Sequence, residues 1–348
     1  MKKIISLFVA LVLVLSTLSG CGGKDAGKNG KLSIVTTIFP EYDWVKNVLG
    51  DKADNAEITM LLDKGVDLHS YQPTAADILK ISACDLFIYV GGESDEWVDD
   101  ALKEAVNKNM VVINLLEVLG DSVKEEEMVE GMQGEDEEHD HDHDEDEDHD
   151  HEHEEGEDHD HDHHHEEGET EYDEHVWLSL RSASVIVTEI AEALGKIDEK
   201  NSEAYKKNAK DYNEKLYALD KKFSDAVDSA KVKTVLFGDR FPFRYFTDDY
   251  ELSYYAAFVG CSAETEASFE TITFLSKKVD ELGLKTVLTI EGKNHKIAET
   301  IVQNTKTKDQ KVLTMDSMQS TTSSDVEKGT TYLSIMEKNL DVLKEALK

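Results

Sequence analysis

Residues 65–99 read GVDLHSYQPTAADILKISACDLFIYVGGESDEWVD. The stretch holds one complete strand–helix cycle. Asp67 to Pro73 is polar and loop-like, and it carries His69. Ala76, Leu79 and Ala83 recur at helical spacing, which predicts a helix over TAADILKISA. DLFIYVG is an uninterrupted apolar run closed by Gly91 and Gly92, the pattern of a buried strand. DEWVDDALKEAVNK, residues 95–108, then predicts the next helix.

The same alternation extends in both directions. LSIVTT (32–37), AEITML (56–61) and MVVINL (110–115) are strand candidates, and PEYDWVKNVLG (40–50) is a helix closed by Gly50. A βαβαβαβ series implies a parallel sheet with helices on its faces. The rhythm returns after residue 231 with VKTVLFG, SYYAAFVG, KTVLTIEG and KVLTMD as strands. SFETITFLSKKVDELG and TYLSIMEKNLDVLKEAL are amphipathic helices of this second series. The fold class is therefore α/β, with two similar lobes, each a parallel sheet flanked by helices. Between them, Tyr205, Tyr212, Leu216, Leu219, Phe223 and Val227 form an apolar stripe, which predicts one long uninterrupted helix over 196–230 as a rigid strut. The expected layout is a first lobe at 32–195, with an insertion at 124–171, and a second lobe at 231–348.

The insertion is the most biased part of the chain. The net charge is −38, and 22 Asp and Glu with no Lys or Arg fall within 135–169, leaving −16 for the rest. Such a run buries no apolar surface and is expected to be disordered. Solubility alone accounts for the carboxylates but not for the 11 histidines among them, which are His139, His141, His143, His149, His151, His153, His159, His161, His163, His164 and His165. Neutral imidazole ligates Zn²⁺, Cu²⁺ and Ni²⁺, and carboxylate adds charge. The run reads as a set of auxiliary, weak metal sites, in competition with protons at mildly acid pH. An acidic balance also argues against nucleic acid as partner.

The N-terminus, MKKIISLFVALVLVLSTLSGCGG, has a basic start, an apolar run from Ile4 to Leu15 and a small-residue end, the form of an export signal over 1–20. LSGC resembles a bacterial lipobox, which makes Cys21 the expected lipidation site, with 21–31 as a flexible tether. The mature protein is then extracytoplasmic and held to the cell membrane by acyl chains. Of the remaining cysteines, Cys84 reads as a small core residue and Cys261 lies at a strand end. Nothing local argues for a disulfide between them, and a purely cysteine-based zinc site needs more thiolates.

Outside the acidic run only His69, His175 and His295 remain. A single histidine is more often a satisfied polar residue than a ligand. His69 and His175, in GVDLHSYQPT and YDEHVWLSL, both lie in polar loops at the edge of the first sheet, whereas His295 reads as surface.

At these residues the chain resembles the metal-binding solute-binding proteins of ABC importers. GVDLHSYQPTAADI is similar to their G-x-x-x-H-x-(Y/W)-x-P-T-x-x-D-(I/L), DEHVWLSL to their D-x-H-(V/I)-W-(L/M)-(D/S), and TYLSIMEKNLDVLKEAL to their C-terminal helix. The resemblance covers essentially the whole mature chain outside the acidic run, and a His-rich insertion ahead of the second histidine is typical of the zinc-type members. It implies one divalent metal between two lobes and delivery to an ABC permease and its ATPase, with a monomeric receptor as the expectation. His69 and His175 match two ligands, and Asp316, in VLTMDSMQ, matches a late aspartate ligand. At the third ligand position the chain has Arg240, in RFPFRYF, and a protonated guanidinium ligates no metal. Asp239, a water or a histidine of the insertion are the alternatives there, and Arg240 is free to pair with a carboxylate near the site.

Two imidazoles with one or two carboxylates suit Zn²⁺ as the transported ion, ahead of Mn²⁺ in the Irving–Williams order. The expected function is a lipid-anchored Zn²⁺ receptor whose insertion gathers metal. The alternatives are a manganese or iron receptor, or a zinc-storage or adhesin lipoprotein in which the insertion is the main binding element. A zinc hydrolase would need a general base, and the chain has neither HExxH nor GxSxG. The protein is therefore expected not to be an enzyme.

Overall fold

The structure, a computed structural model, describes residues 30–134, 171–262 and 266–348. The export signal, Cys21 and the histidines of the insertion lie outside the described residues. In the first lobe β1 (Leu32–Thr36), α1 (Phe39–Leu49), β2 (Ala56–Met60), α2 (Ala75–Ala83), β3 (Leu86–Tyr89), α3 (Trp97–Lys103), β4 (Val111–Asn114) and α4 (Leu115–Leu119) follow in turn. Then come α5 (Leu180–Ile197) and α6 (Ser202–Asp228). The second lobe contains β5 (Thr234–Phe241), α7 (Arg244–Asp249), β6 (Ser253–Val259), α8 (Phe269–Leu282), β7 (Thr286–Thr289), α9 (Lys296–Asn304), β8 (Lys311–Thr314), α10 (Ser323–Glu327) and α11 (Tyr332–Ala346).

Both sheets are wholly parallel and share one plan, β2-β1-β3-β4 and β6-β5-β7-β8. In this topology loops at the carboxyl ends of the strands form the crevice where ligands bind. His69 follows β2, Ser94 follows β3, Cys261 follows β6 and Asp316 follows β8. Every one of these residues is therefore delivered by a strand's carboxyl end.

Three elements depart from the sequence reading. The helix over 95–108 is only Trp97–Lys103, because the Val106 and Asn107 amides turn away to donate to the Ser82 carbonyl. The linking helix is not continuous over 196–230. The chain breaks at Asp198, whose carboxylate accepts from Asn201 and from the Tyr205 hydroxyl, and α6 starts afresh at Ser202. The apolar stripe on α6 is buried as its spacing requires. It packs on the first lobe, where the Asn208 amide donates to the Val48 carbonyl at 2.9 Å. Finally, residues 124–134, read as part of the insertion, pack on the second lobe. The Tyr254 hydroxyl donates to Glu127 at 3.0 Å, and the Gln133 amide donates to the Ala257 carbonyl at 3.0 Å beside β6.

One apolar core runs through both lobes, from Ile34 and Phe87 through Trp177 to Phe237 and Tyr332. Asp43 is buried within this packing. Its Oδ2 accepts from the Tyr332 amide (3.2 Å), the Tyr212 hydroxyl (3.4 Å) and the Asn47 side chain (3.2 Å), tying α1 to α6 and α11. Burial lifts its pKa to about 6, against the opposing pull of those donors and of Lys46. A carboxyl whose folded pKa lies above the unfolded one binds its proton more tightly when folded. It favours folding most below about pH 4 and loses that contribution as pH rises through its folded pKa. Asp43→Asn keeps an acceptor for the three donors and removes the titration. Chemical denaturation should show the variant gaining about 1–3 kcal/mol on the parent between about pH 4 and 7.5.

Candidate metal centre

His69 sits in the short helical turn Leu68–Ser70, where the Asp67 carboxylate accepts its backbone N–H at 3.1 Å. Its Nδ1 lies 2.7 Å from Ser94 Oγ and 3.5 Å from Glu174 Oε2. His175 is fully buried. Asp173 Oδ1 accepts both its backbone N–H, at 2.8 Å, and its ring at Nδ1, at 3.0 Å. A carboxylate at Nδ1 assigns the proton to that nitrogen and leaves Nε2 as a bare acceptor, the arrangement in which a second carboxylate orients a metal-binding histidine.

The two Nε2 atoms face each other 3.2 Å apart. Two Zn–N bonds of about 2.0–2.1 Å at a tetrahedral angle separate their nitrogens by about 3.3 Å. The pair is thus already at the spacing that one ion would require. Burial, His175 and Arg240 hold the His69 pKa well below its usual value, against the pull of Asp67, so the ring is neutral and ligand-ready.

Acid surrounds this pair. Glu174 is 2% exposed, and its Oε2 has no hydrogen-bond partner among the described residues. Burial raises its pKa, as it raises those of Glu126 and Asp95, the last to about 7. A buried carboxylate oxygen that accepts no hydrogen bond and lies 3.5 Å from the His69 ring is the setting that a divalent cation neutralises.

Among the described residues, one group of three His, Cys, Asp or Glu side chains has its ligand atoms within 4.8 Å of one another: His69, His175 and Cys261. The structure does not bring Asp239 or Asp316 into it. Asp239 Oδ1 accepts from the Arg240 amide at 2.9 Å and Oδ2 from the Ile290 amide at 3.3 Å, which turns the carboxylate toward β7. Asp316 Oδ1 accepts from the Met318 amide at 2.8 Å. Burial and Glu291 raise the Asp316 pKa to about 6. Arg240 does pair with a carboxylate, Asp67, at 2.6 Å. His295, read as surface, is half-buried at the start of α9.

Ser94, Asp173 and Cys261 escaped the sequence reading of the site. Asp173 had a local signal, two residues before the histidine it orients. Cys261 had none, because its partners are brought to it by the fold.

The chain matches the family model described as zinc-uptake complex component A, periplasmic, over residues 34–346. It is 30% identical to the zinc-binding protein AdcA of Streptococcus pyogenes across 99% of its own length, and spans 61% of the length of that relative. It is also 30% identical to the high-affinity zinc uptake system protein ZnuA of Bacillus subtilis, covering 99% of this chain and 98% of the relative. Among solved structures it is similar to the Zn(II)-bound ZnuA-like domain of Streptococcus pneumoniae AdcA. The TM-score is 0.65 at 27% identity, over 91% of this chain and 99% of that one. It is similar as well to the metal-dependent lipoprotein YcdH of B. subtilis, with TM-score 0.67 at 26% identity, over 91% of this chain and 99% of that one. These relatives are binding and uptake proteins rather than enzymes. A match that runs from β1 to α11, through both histidine motifs, makes the chain a member of the zinc-uptake component A family.

Proposed function

We propose that this protein is a lipid-anchored extracytoplasmic receptor that captures Zn²⁺ between its lobes through His69 and His175 and passes it to an ABC permease with its ATPase. The observation that carries the reading is the pair of facing Nε2 atoms at 3.2 Å, with Asp173 and Ser94 occupying the opposite ring nitrogens. That arrangement presents a bare His175 Nε2 to His69. It is good as half of a four-coordinate site. The zinc-binding names of relatives aligned along the whole chain support the choice of ion. The lipobox at Cys21 and the lipoprotein among the solved relatives support the anchor.

In this reading the insertion gathers metal at many weak sites near the interlobe pair, and its negative potential draws cations toward it. Calorimetric zinc titration of the protein with residues 136–169 replaced by a short linker tests the division of labour. One tight site should remain with its affinity unchanged while the weak sites disappear. Loss of all tight binding would mean that the acidic histidine run is itself the binding device.

A further inference from the structure

We propose that Cys261 supplies the third ligand, so that the ion sits in a His₂Cys site. The proposal rests on the reading of His69 and His175 as the metal-binding pair, and it goes beyond it by naming a thiolate where the family resemblance leads to a nitrogen or a carboxylate.

The geometry points to Cys261 in three ways. Its sulfur is within 4.8 Å of the ligand nitrogens of both histidines. A tetrahedral zinc with bonds of about 2.3 Å to sulfur and 2.0–2.1 Å to nitrogen separates the two ligand atoms by about 3.6 Å. A movement of about 1 Å therefore completes the set. The loop carrying the cysteine is pressed against His175. A Cβ on the preceding Gly260 would lie 2.9 Å from His175 Cε1 and 3.0 Å from the Phe241 carbonyl. Only glycine lets the chain approach this closely, and the approach is what brings the next side chain to the imidazoles.

Arg240 supplies the third argument. It stands where a ligand is expected and cannot ligate. Instead its Nη2 donates to Asp67 at 2.6 Å, and its Nη1 donates to the Ser262 carbonyl at 3.4 Å. Asp67 in turn holds the His69 backbone. The guanidinium thus ties the loop of His69 to the loop of Cys261. A residue that removes one ligand also positions its replacement, which makes Arg240 a positioning residue in the second layer of the site.

Coordination requires the thiol to lose its proton. Glu126, which accepts the Cys261 amide at 3.3 Å and contacts the thiol, is the adjacent base. The S–H bond breaks, the electron pair forms the metal–sulfur bond, and the proton leaves through Glu126. Sulfur also sharpens selection, because a thiolate favours Zn²⁺ over the oxygen-preferring Mn²⁺. The ligand class is a borderline-soft divalent cation.

Cobalt(II), a spectroscopic stand-in for zinc, tests the site in the full chain. One equivalent of Co²⁺ should give a near-ultraviolet sulfur-to-metal charge-transfer band together with intense tetrahedral visible bands. The carboxylates and imidazoles of the insertion cannot produce the near-ultraviolet band. Cys261→Ser should abolish it, and Cys84→Ser should leave it intact. A band that survives Cys261→Ser overturns the proposal. So does a tight Co²⁺ site, lost in His175→Ala, that shows no such band in the parent chain; that result leaves the receptor reading standing. Absence of any tight site overturns both. X-ray absorption of the zinc-loaded parent chain needs no variant. One sulfur scatterer at about 2.3 Å supports the proposal, and a first shell of nitrogen and oxygen alone overturns it.

Discussion

Replacing His175 with alanine should weaken the tight zinc site by more than a hundredfold, as read by competition with a chromophoric chelator. The comparison that sets the scale is Asp173→Asn. Removing an orienting partner one layer out from a metal typically costs about 10–100-fold, and Asp173 is such a partner, accepting from His175 at both Nδ1 and the backbone. In the proposed site, loss of the imidazole would remove a metal–nitrogen bond outright and should exceed that range. It also leaves the Asp173 and Glu174 carboxylates buried beside an empty space, so circular dichroism of the variant is needed to confirm that the site was lost rather than the fold. Equal losses in the two variants would mean that His175 acts through packing. An unchanged site in His175→Ala would place the metal elsewhere.

Trp177→Ala should destabilise the protein by about 3–5 kcal/mol in chemical denaturation, the usual range for emptying a large aromatic position in a core. Trp177 is completely buried, and its ring lies 5.2 Å from that of His175. Its Nε1 donates to the Ser317 carbonyl at 2.8 Å, and its own carbonyl accepts the Tyr332 hydroxyl at 2.7 Å. One residue therefore joins the His175 segment to the loop after β8 and to α11. Trp177→Phe keeps most of the apolar contact and loses the indole donor, leaving the Ser317 carbonyl unpaired, and should cost about 1–3 kcal/mol. A loss below about 1 kcal/mol in the alanine variant would show that the core closes over the gap.

All eight strands among the described residues were legible as short β-rich runs, and β3 and β7 are buried at every position, β3 as the continuous apolar run that a strand covered on both faces needs. The helix break at Asp198 was not legible. The apolar stripe of α6 continues the period of a helix, and the break comes from a carboxylate finding two donors downstream. Within the candidate site, His69 and His175 were legible as candidates because each motif is local, whereas the orienting contact of Asp173 was not read. Asp239 misled because it is adjacent to the expected position. Neighbouring residues of a strand point to opposite faces, and the register of β5 against β6 also shifts between Phe237 and Arg240. A one-residue exchange in a strand is thus a change of direction, and the Asp239 carboxylate ends on the amide of Ile290. Cys261 lay hidden for the converse reason: a single cysteine at a strand end has no periodicity, and only the approach of Gly260 to His175 gives it meaning.

The segment 126–133 has a consequence for behaviour at high concentration. Strand β6 is an outer strand of its sheet, and an open strand edge is a template on which a foreign chain can add and start aggregation. Here the first lobe's segment lies along part of that edge, with one backbone bond from the Gln133 N–H to the Ala257 carbonyl and side-chain contacts from Glu127 to Tyr254 and from Glu126 to the Cys261 amide just past the strand. Immediately beyond it the sequence enters the run of 22 carboxylates. An approaching strand meets a bridge at Gln133 and the packed side chains of Glu126 and Glu127, so the stretch that precedes the acidic run also hinders copies of the protein from joining edge to edge.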